Sequence, residues 1–402
     1  MIFNFIISST VLFFSSLTLA ATFSAGVESK TAGVDSTLKS KGPPAVLYNP
    51  ANLSLVSDNK KAEPYMEFGI INVNYMYEHP DFDPVQISVS SPIATFGYTG
   101  KLNDKINYGF VLFPKSGGGE TKINALPKKI GGSVMPIAVT QTGREIDIGL
   151  GMSYTPMAGL SVGLSNVISS EKHTLQANLI DNENDLVNSE YQNNFFRTVM
   201  GVSYKWQNML TTSASYKPAL TKTYKGSQTS AAQAEASAPK TVNYEPETLG
   251  FGASAQVAGF SAAIEMNRLN WSKGRSTKKD GINENEPDAD LNDVTEQSLS
   301  FGYNANANMG VNVSYAKRPT PWGDGFDDGT TENQRTGVAF GALNGIEQHV
   351  YSVGGSMMIK DYALDFGLSR AQGERFVQGQ GENLGYYYLD VTTITGSMKA
   401  SF

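Results

Sequence analysis

From residue 64 to the C-terminus the chain repeats one pattern, short segments in which apolar and polar side chains alternate. A period of two gives each segment one apolar and one polar face, as in a strand that separates two different surroundings. Ile146, Ile148, Leu150, Met152 and Tyr154 point one way, with Glu145, Asp147 and Gly149 between them. Phe260, Ala262, Ile264 and Met266 oppose Glu265 and Asn267 in the same manner, and Tyr362, Leu364, Phe366 and Leu368 oppose Asp365. The pattern predicts strands at 64–77, 85–101, 106–114, 144–155, 159–176, 194–206, 209–220, 243–256, 259–272, 296–306, 309–318, 347–360, 361–371 and 386–402. Acidic residues fall on the polar face, which is tolerable against a water-filled lumen and costs kilocalories against hydrocarbon. The expected fold is all-β, a transmembrane antiparallel barrel of about 14 strands.

Connection lengths orient it. Tight turns at 100–105, 155–159, 206–209, 256–259, 306–309 and 359–361 alternate with longer links, mostly of about 20 to 30 residues. Short turns belong on the periplasmic side and long loops outside, and an even strand count returns both termini to the periplasm. The sheet must close, because an open edge in lipid leaves backbone groups unpaired.

Residues 1–20 read as a signal peptide, with an uncharged run from Ile2 to Phe14 and small residues leading to Ala20. Met1 to Asn4 carry no Lys or Arg, so a membrane-anchored N-terminus is the rival reading. Nothing later reaches the ~18 apolar residues that a spanning helix needs. A barrel of about fourteen strands leaves a hole unless something fills it. Residues 21–63 are the expected hatch, a plug inside the lumen, with residues 64–402 forming the barrel. The segment from Gly42 to Leu53 mixes Gly-Pro-Pro turn-formers with apolar anchors, unlike a solvated linker. A disordered periplasmic tail is the alternative.

Composition removes other classes. Net charge is -7, which argues against nucleic acid, and the absence of Cys excludes disulfides and thiol chemistry. No nucleophile elbow, phosphate-binding loop or zinc-protease motif occurs, so no enzyme, cofactor or metal site is expected. His79, His173 and His349 fall towards the outer rim, where rim polarity accounts for them more simply than the alternative, a Ser/His/Asp site in the manner of membrane proteases or lipases. Asp324, Asp327 and Asp328, and Asp288, Asp290, Asn292 and Asp293, have calcium-loop composition without the spacing, and read as solvated loops. Trp206, Trp271 and Trp322 lie at strand ends or in loops, as an interfacial girdle would place them.

Tyr48-Asn49-Pro50-Ala51-Asn52-Leu53 resembles the Asn-Pro-Ala motif in the N-terminal hatch of the FadL/TodX outer-membrane transporters of long-chain fatty acids and aromatic hydrocarbons. Pro246 with Gly250 and Gly252, the hairpin into Trp271-Ser272, and Tyr216-Lys217-Pro218 are similar to further short motifs of that family. The resemblance implies passive diffusion of a hydrophobic small molecule through a monomeric fourteen-stranded barrel closed by its hatch, in the outer membrane of a Gram-negative bacterium. Of the family's functional residues, Asn49, Pro50 and Ala51 carry over as the hatch motif. Strand 386–402 ends on Phe402, a C-terminal aromatic of the kind the barrel-assembly machinery would engage.

Residues 115–143 are read as an extracellular loop and the candidate ligand-capture surface. Ile123, Leu126, Ile130, Val134, Met135, Ile137 and Val139 are too apolar for a solvated loop, and Lys122, Lys128 and Lys129 sit among them. Packing in the barrel mouth, with the lysines meeting lipopolysaccharide phosphates, is the other account. Residues 226–238 are expected as a short helix beside it. A general porin, or a structural or adhesive barrel, shares the architecture and is the alternative function.

Overall fold

The computed structural model describes residues 38, 40–55, 62–130, 133–179, 182–206, 209–230, 233–237, 241–273, 292–321, 346–377 and 385–400. The signal peptide, Trp322, the acidic groups at 288–290 and 324–328, and Phe402 lie outside them. Strands β1 (Ala62–Glu78), β2 (Val85–Asn103), β3 (Ile106–Ile130), β4 (Ser133–Met157), β5 (Leu160–Leu179) and β6 (Asn182–Trp206) follow one another as antiparallel neighbours. Then β7 (Leu210–Lys217) and β8 (Leu220–Ser230) make one stave interrupted at Pro218, while β9 (Gln233–Ser237) is a short return strand on β8. β10 (Thr241–Glu245) and β11 (Glu247–Val257) make the next stave, interrupted at Pro246 and paired with β8 and β7 in one continuous register. Proline has no N–H to give a ladder, so both breaks are local consequences of sequence. β12 (Phe260–Asn270), β13 (Val294–Asn306), β14 (Met309–Arg318), β15 (Gln348–Ile359), β16 (Tyr362–Val377) and β17 (Gly385–Ala400) complete the circuit. β17 pairs with β1, Ile394 opposite Ile70, and closes a barrel of fourteen staves.

Every expected strand is present, but several run on. β3, β4 and β6 each have 25 residues, whereas a tilted strand crosses a bilayer in about 9–11. The extra length stands above the membrane. It corrects the reading of 115–143 as a loop, since the backbone there forms the outer part of the β3–β4 hairpin, with Lys128 opposite Met135. Residues 226–238 likewise contribute to β8 and β9 rather than to a helix. The tight turns are as expected; at the β11–β12 turn Ala258 and Gly259 both take positive φ, +48° and +84°, as a two-residue type I′ hairpin requires.

Two different surfaces are built along each of several strands. In the lower halves Phe68, Ile70, Leu150, Met152, Phe260, Ile264, Phe366 and Ile394 face outward and exposed, while Glu67, Asp147, Glu265, Asp365 and Thr395 face inward and buried. From Ile71 upward the sense reverses. Ile71, Val73, Tyr75 and Tyr77 of β1, Val85 and Ile87 of β2, and Tyr387, Leu389 and Val391 of β17 are buried on the lumenal side. Outward neighbours there are polar, among them Asn74, Gln86 and Ser88. The lumen is therefore not uniformly polar, as simple alternation led one to expect. Above the membrane the outside meets water, so the apolar face turns in.

The wall is also split in two places. β2 pairs with β3 only through Phe96↔Leu112 and the residues below, leaving 85–95 with β1 as ladder partner. β6 pairs with β7 up to Met200↔Tyr216 and with β8 from Gln192↔Lys225, so 193–199 has no ladder on that side.

Candidate functional site

A segment from Leu38 to Leu55 crosses the lumen. Gly42 at φ +68° and the two prolines turn the chain into a single-turn helix, α1 (Ala45–Tyr48), started by the Ala45 N–H on the Gly42 carbonyl at 3.0 Å. Asn49 ends it in extended backbone, its own N–H held by the Ala45 carbonyl at 2.9 Å. A 3-10 turn, Pro50–Leu55, follows. Asn49 organises the junction: its Oδ1 accepts the Ala51 N–H at 3.2 Å and its carbonyl accepts the Asn52 N–H at 3.0 Å. Such local side-chain bonding is what Asn offers in turns.

The segment is held by strands from two parts of the wall, β12 and β5. The Leu38 N–H donates to Glu265 Oε1 on β12 at 2.7 Å, and Asn52 Nδ2 donates to the Leu38 carbonyl at 3.3 Å. Four staves away, Ser165 Oγ of β5 donates to the Val46 carbonyl at 2.6 Å. Ala45, Val46, Leu47, Tyr48 and Leu53 pack with Val111, Phe113 and Val167 as one buried apolar cluster.

The seat is made of glycine. A Cβ at Gly163 would collide with the backbone of Pro50 and Ala51, and one at Gly201 with Asn49 Oδ1. At Gly109 and Gly149 it would come within 2.7 Å of Leu53 and Val46. Gly163 faces Gly201 across β5–β6, and Gly109 faces Gly151 across β3–β4. Close backbone approach is one of the few reasons for glycine in a strand interior. Asn49, Pro50 and Ala51 thus come together against adjacent strands, buried with Ala45, Val46, Asn52 and Leu53. These glycines were passed over in the sequence; their cross-strand pairing on lumenal positions is the signal that finds them.

Just above the seat lies a network of charge. Glu145 of β4 is directly opposite Glu171 of β5, a like-charge pairing that needs a cation. Lys222 supplies it from β8, its Nζ reaching Glu171 and Glu245, each at 2.5 Å. Arg197 of β6 meets Glu245 at 2.9 Å and Asp147 at 3.6 Å. Ser169 Oγ donates to Asp147, and Asn193 Nδ2 donates to the Thr223 carbonyl across the interrupted ladder. Lys217 lies over the Tyr48 ring, 4.8 Å from its centroid. Side chains therefore bridge the β6–β8 split. His173 is buried 3.7 Å from Glu171, His79 is buried against Phe82, and His349 stacks on Tyr315 at the rim.

Below this segment is a cavity of about 920 Å³, lined by charged groups of both signs, among them Lys101, Lys205, Asp104 and Asp365, and by apolar ones such as Met209 and Phe301. The capture candidates Lys122, Leu126, Lys128, Lys129, Ile130 and Met135 lie on the outer β3–β4 hairpin, far along the strands from the plug. Their side chains are outside the described set. Trp206 sits at the lower rim, exposed and packed edge-on against Tyr204. Among the described residues no group of His, Asp or Glu is arranged for a metal.

The barrel with its transverse segment has solved counterparts. A crystal structure of a Pseudomonas aeruginosa FadL homologue superposes with TM-score 0.71 at 12% identity, covering 94% of this chain and 98% of that one. The fold is that of the FadL and TodX proteins. The P. putida toluene transporter TodX matches with TM-score 0.65 at 14% identity over 95% of this chain and 99% of its own. The Ralstonia pickettii toluene transporter TbuX gives 0.58 at 14% over 90% and 94%. No protein-family model matches the sequence, and no curated protein does. The FadL/TodX likeness therefore rests on three-dimensional form.

Proposed function

We propose that this protein lies in the outer membrane and lets uncomplexed hydrophobic molecules diffuse passively through its plugged barrel. The observation that carries the reading is the inversion of the wall, which lines the upper lumen with Ile71, Val73, Tyr75, Tyr77, Leu389 and Val391. A general porin needs a wet, polar lumen, and a merely structural barrel needs no apolar lumenal face. Apolar walls with few polar groups are what binding of a greasy ligand calls for.

Capture on the outer β3–β4 hairpin, with Leu126, Ile130 and Met135 beside Lys122, Lys128 and Lys129, is part of this proposal. The same lysines suit lipopolysaccharide phosphates at that height. Past that apolar face a ligand meets the plug, beyond which the cavity is lined by charged, polar and apolar groups together. The β2–β3 split opens beside the plug, where Gly97 abuts Pro43, and offers an apolar molecule a sideways route into the membrane. Phe402 engaging the assembly machinery, and a monomeric state, complete the reading. Uptake of labelled toluene and oleate by cells with and without the chain tests it: faster entry of at least one is expected, and equal rates for both would overturn it.

A further inference from the structure

The outer surface of the wall changes from apolar to polar at one height, and the cations found there are not evenly matched. On β4 every outward residue from Tyr154 to Ile146 is apolar, a stretch close to the about 9–11 residues with which a tilted strand crosses a bilayer. The next outward residue is Arg144. Register sets Lys172 of β5 directly opposite it, and both residues are exposed. Like charges so placed destabilise a sheet unless an anion lies between them. Lys172 is answered by Glu190 of β6 at 2.8 Å, whereas Arg144 has no ion-pair partner among the described residues.

Elsewhere at this height each described cation has its carboxylate. Arg268, Lys317 and Arg370 are likewise the first outward residues past the apolar run of their strands. Arg268 meets Asp293 at 3.4 Å, Lys317 meets Glu347 at 2.9 Å, and the Arg370 Nε donates to Asp390 at 3.1 Å. The surplus is therefore confined to β4–β5. Beneath it Ile148, Ile168 and Phe196 stand in one row across β4, β5 and β6, exposed on the lipid side. Above it the Thr142 and Thr174 hydroxyls lie 2.6 Å apart.

We infer that Arg144 and Lys172 form a binding site for the phosphate of an outer-leaflet lipid, a phosphorylated glycolipid whose acyl chains lie along Ile148, Ile168 and Phe196. A guanidinium meets phosphate oxygens through a planar fork and an ammonium as a point charge. Free phosphate shares that chemistry but makes no use of the apolar row below. The inference rests on the placement in the outer membrane and is independent of what the barrel transports.

The full-length chain, purified in micelles of uncharged detergent, is titrated with diphosphoryl lipid A, and binding is read by native mass spectrometry. A cation beside an anionic lipid is worth about fivefold in affinity, so Arg144→Gln and Lys172→Gln should each weaken binding about fivefold, and together about 25-fold. Glu190→Gln should strengthen it, because Lys172 is then released to the ligand; a misfolded variant could not show that gain. Lys317→Gln, which removes a cation already matched by Glu347, should change it less than about twofold. Equal losses from Lys317→Gln and Arg144→Gln, or equal binding of the dephosphorylated lipid, would overturn the site. Displacement of the lipid by an equimolar amount of inorganic phosphate would overturn its assignment to a lipid. Cell fractionation separates the two levels: recovery of the chain outside the outer-membrane fraction overturns the placement, and recovery within it, with affinity unchanged in the double variant, overturns the site alone.

Discussion

A methyl group placed on Gly201 would fall on the side-chain oxygen of Asn49. That oxygen is the acceptor that holds the Ala51 N–H, so the wall and the turn of the plug are fitted to each other at one atom. Gly201→Val should therefore unseat the segment without touching the outer wall. Overpacking of this kind costs about 1–3 kcal/mol. The expected result is an intact, heat-modifiable barrel with raised conductance in planar bilayers; unchanged conductance would show that the fit does not close the pore.

Removing the plug outright is the stronger version. Deletion of residues 22–60 should convert a nearly closed pore into a steadily conducting one, since the lumen of a fourteen-stave barrel is too wide to be filled by its own side chains. A deletion variant no more conductive than the intact chain would count against any plug.

Arg197 tests the network energetically. It is largely buried and holds Glu245 and Asp147. Arg197→Met leaves those carboxylates short of a cation, and breaking a buried pair from one side costs about 3–5 kcal/mol. The urea midpoint for loss of the folded gel band should fall markedly, and replacing Asp147 and Glu245 by Asn and Gln in the same chain should restore part of it. No recovery would mean that Arg197 matters for its packing and not for its charge.

Outside the membrane, Asp293 ties the end of the β12–β13 connection to Ser272. The Ser272 N–H and hydroxyl donate to Oδ1 at 3.0 and 2.8 Å, with Arg268 beside Oδ2. The backbone bond from Ser272 is the main reason its carboxyl is held below the ordinary range, with the hydroxyl and Arg268 adding to it. A depressed carboxylate stabilises the tie above the unfolded value of about 3.9, and the contribution disappears as pH falls through the folded value. Fluorescence of Trp271, in a chain with Trp206 and Trp322 changed to Phe, should shift at a pH below that of a free Asp, and Asp293→Asn should abolish the step. A midpoint at or above the ordinary value would refute the assignment.

Most of the barrel was legible because a period of two is written by the membrane itself: residues such as Leu150 and Glu145 cannot exchange faces. Strand ends were less legible. Past the bilayer, β3 and β4 continue with Pro127, Pro136 and several glycines, whose composition resembles a loop although the backbone still pairs. The Asn49-Pro50-Ala51 segment stands out in the sequence, whereas the glycines it packs on do not, because Gly163 and Gly201 are 38 positions apart and meet only through register. Lys222, Glu171 and Glu245 were hidden for the same reason, being drawn from three strands around an interrupted ladder.

The inversion of the wall at Ile71 means that one chain is held by two solvents acting in opposite senses. Its upper ring hides Tyr77, Tyr387 and Leu389 from water, and melting it exposes apolar surface with the usual rise in heat capacity. Its lower ring shows Phe68, Leu150 and Phe366 to hydrocarbon, a contact that gives no such thermal signature. Calorimetry would accordingly register the upper ring as if it were a small soluble domain, sensitive to urea and temperature. Lipid thickness and detergent would act on the lower ring.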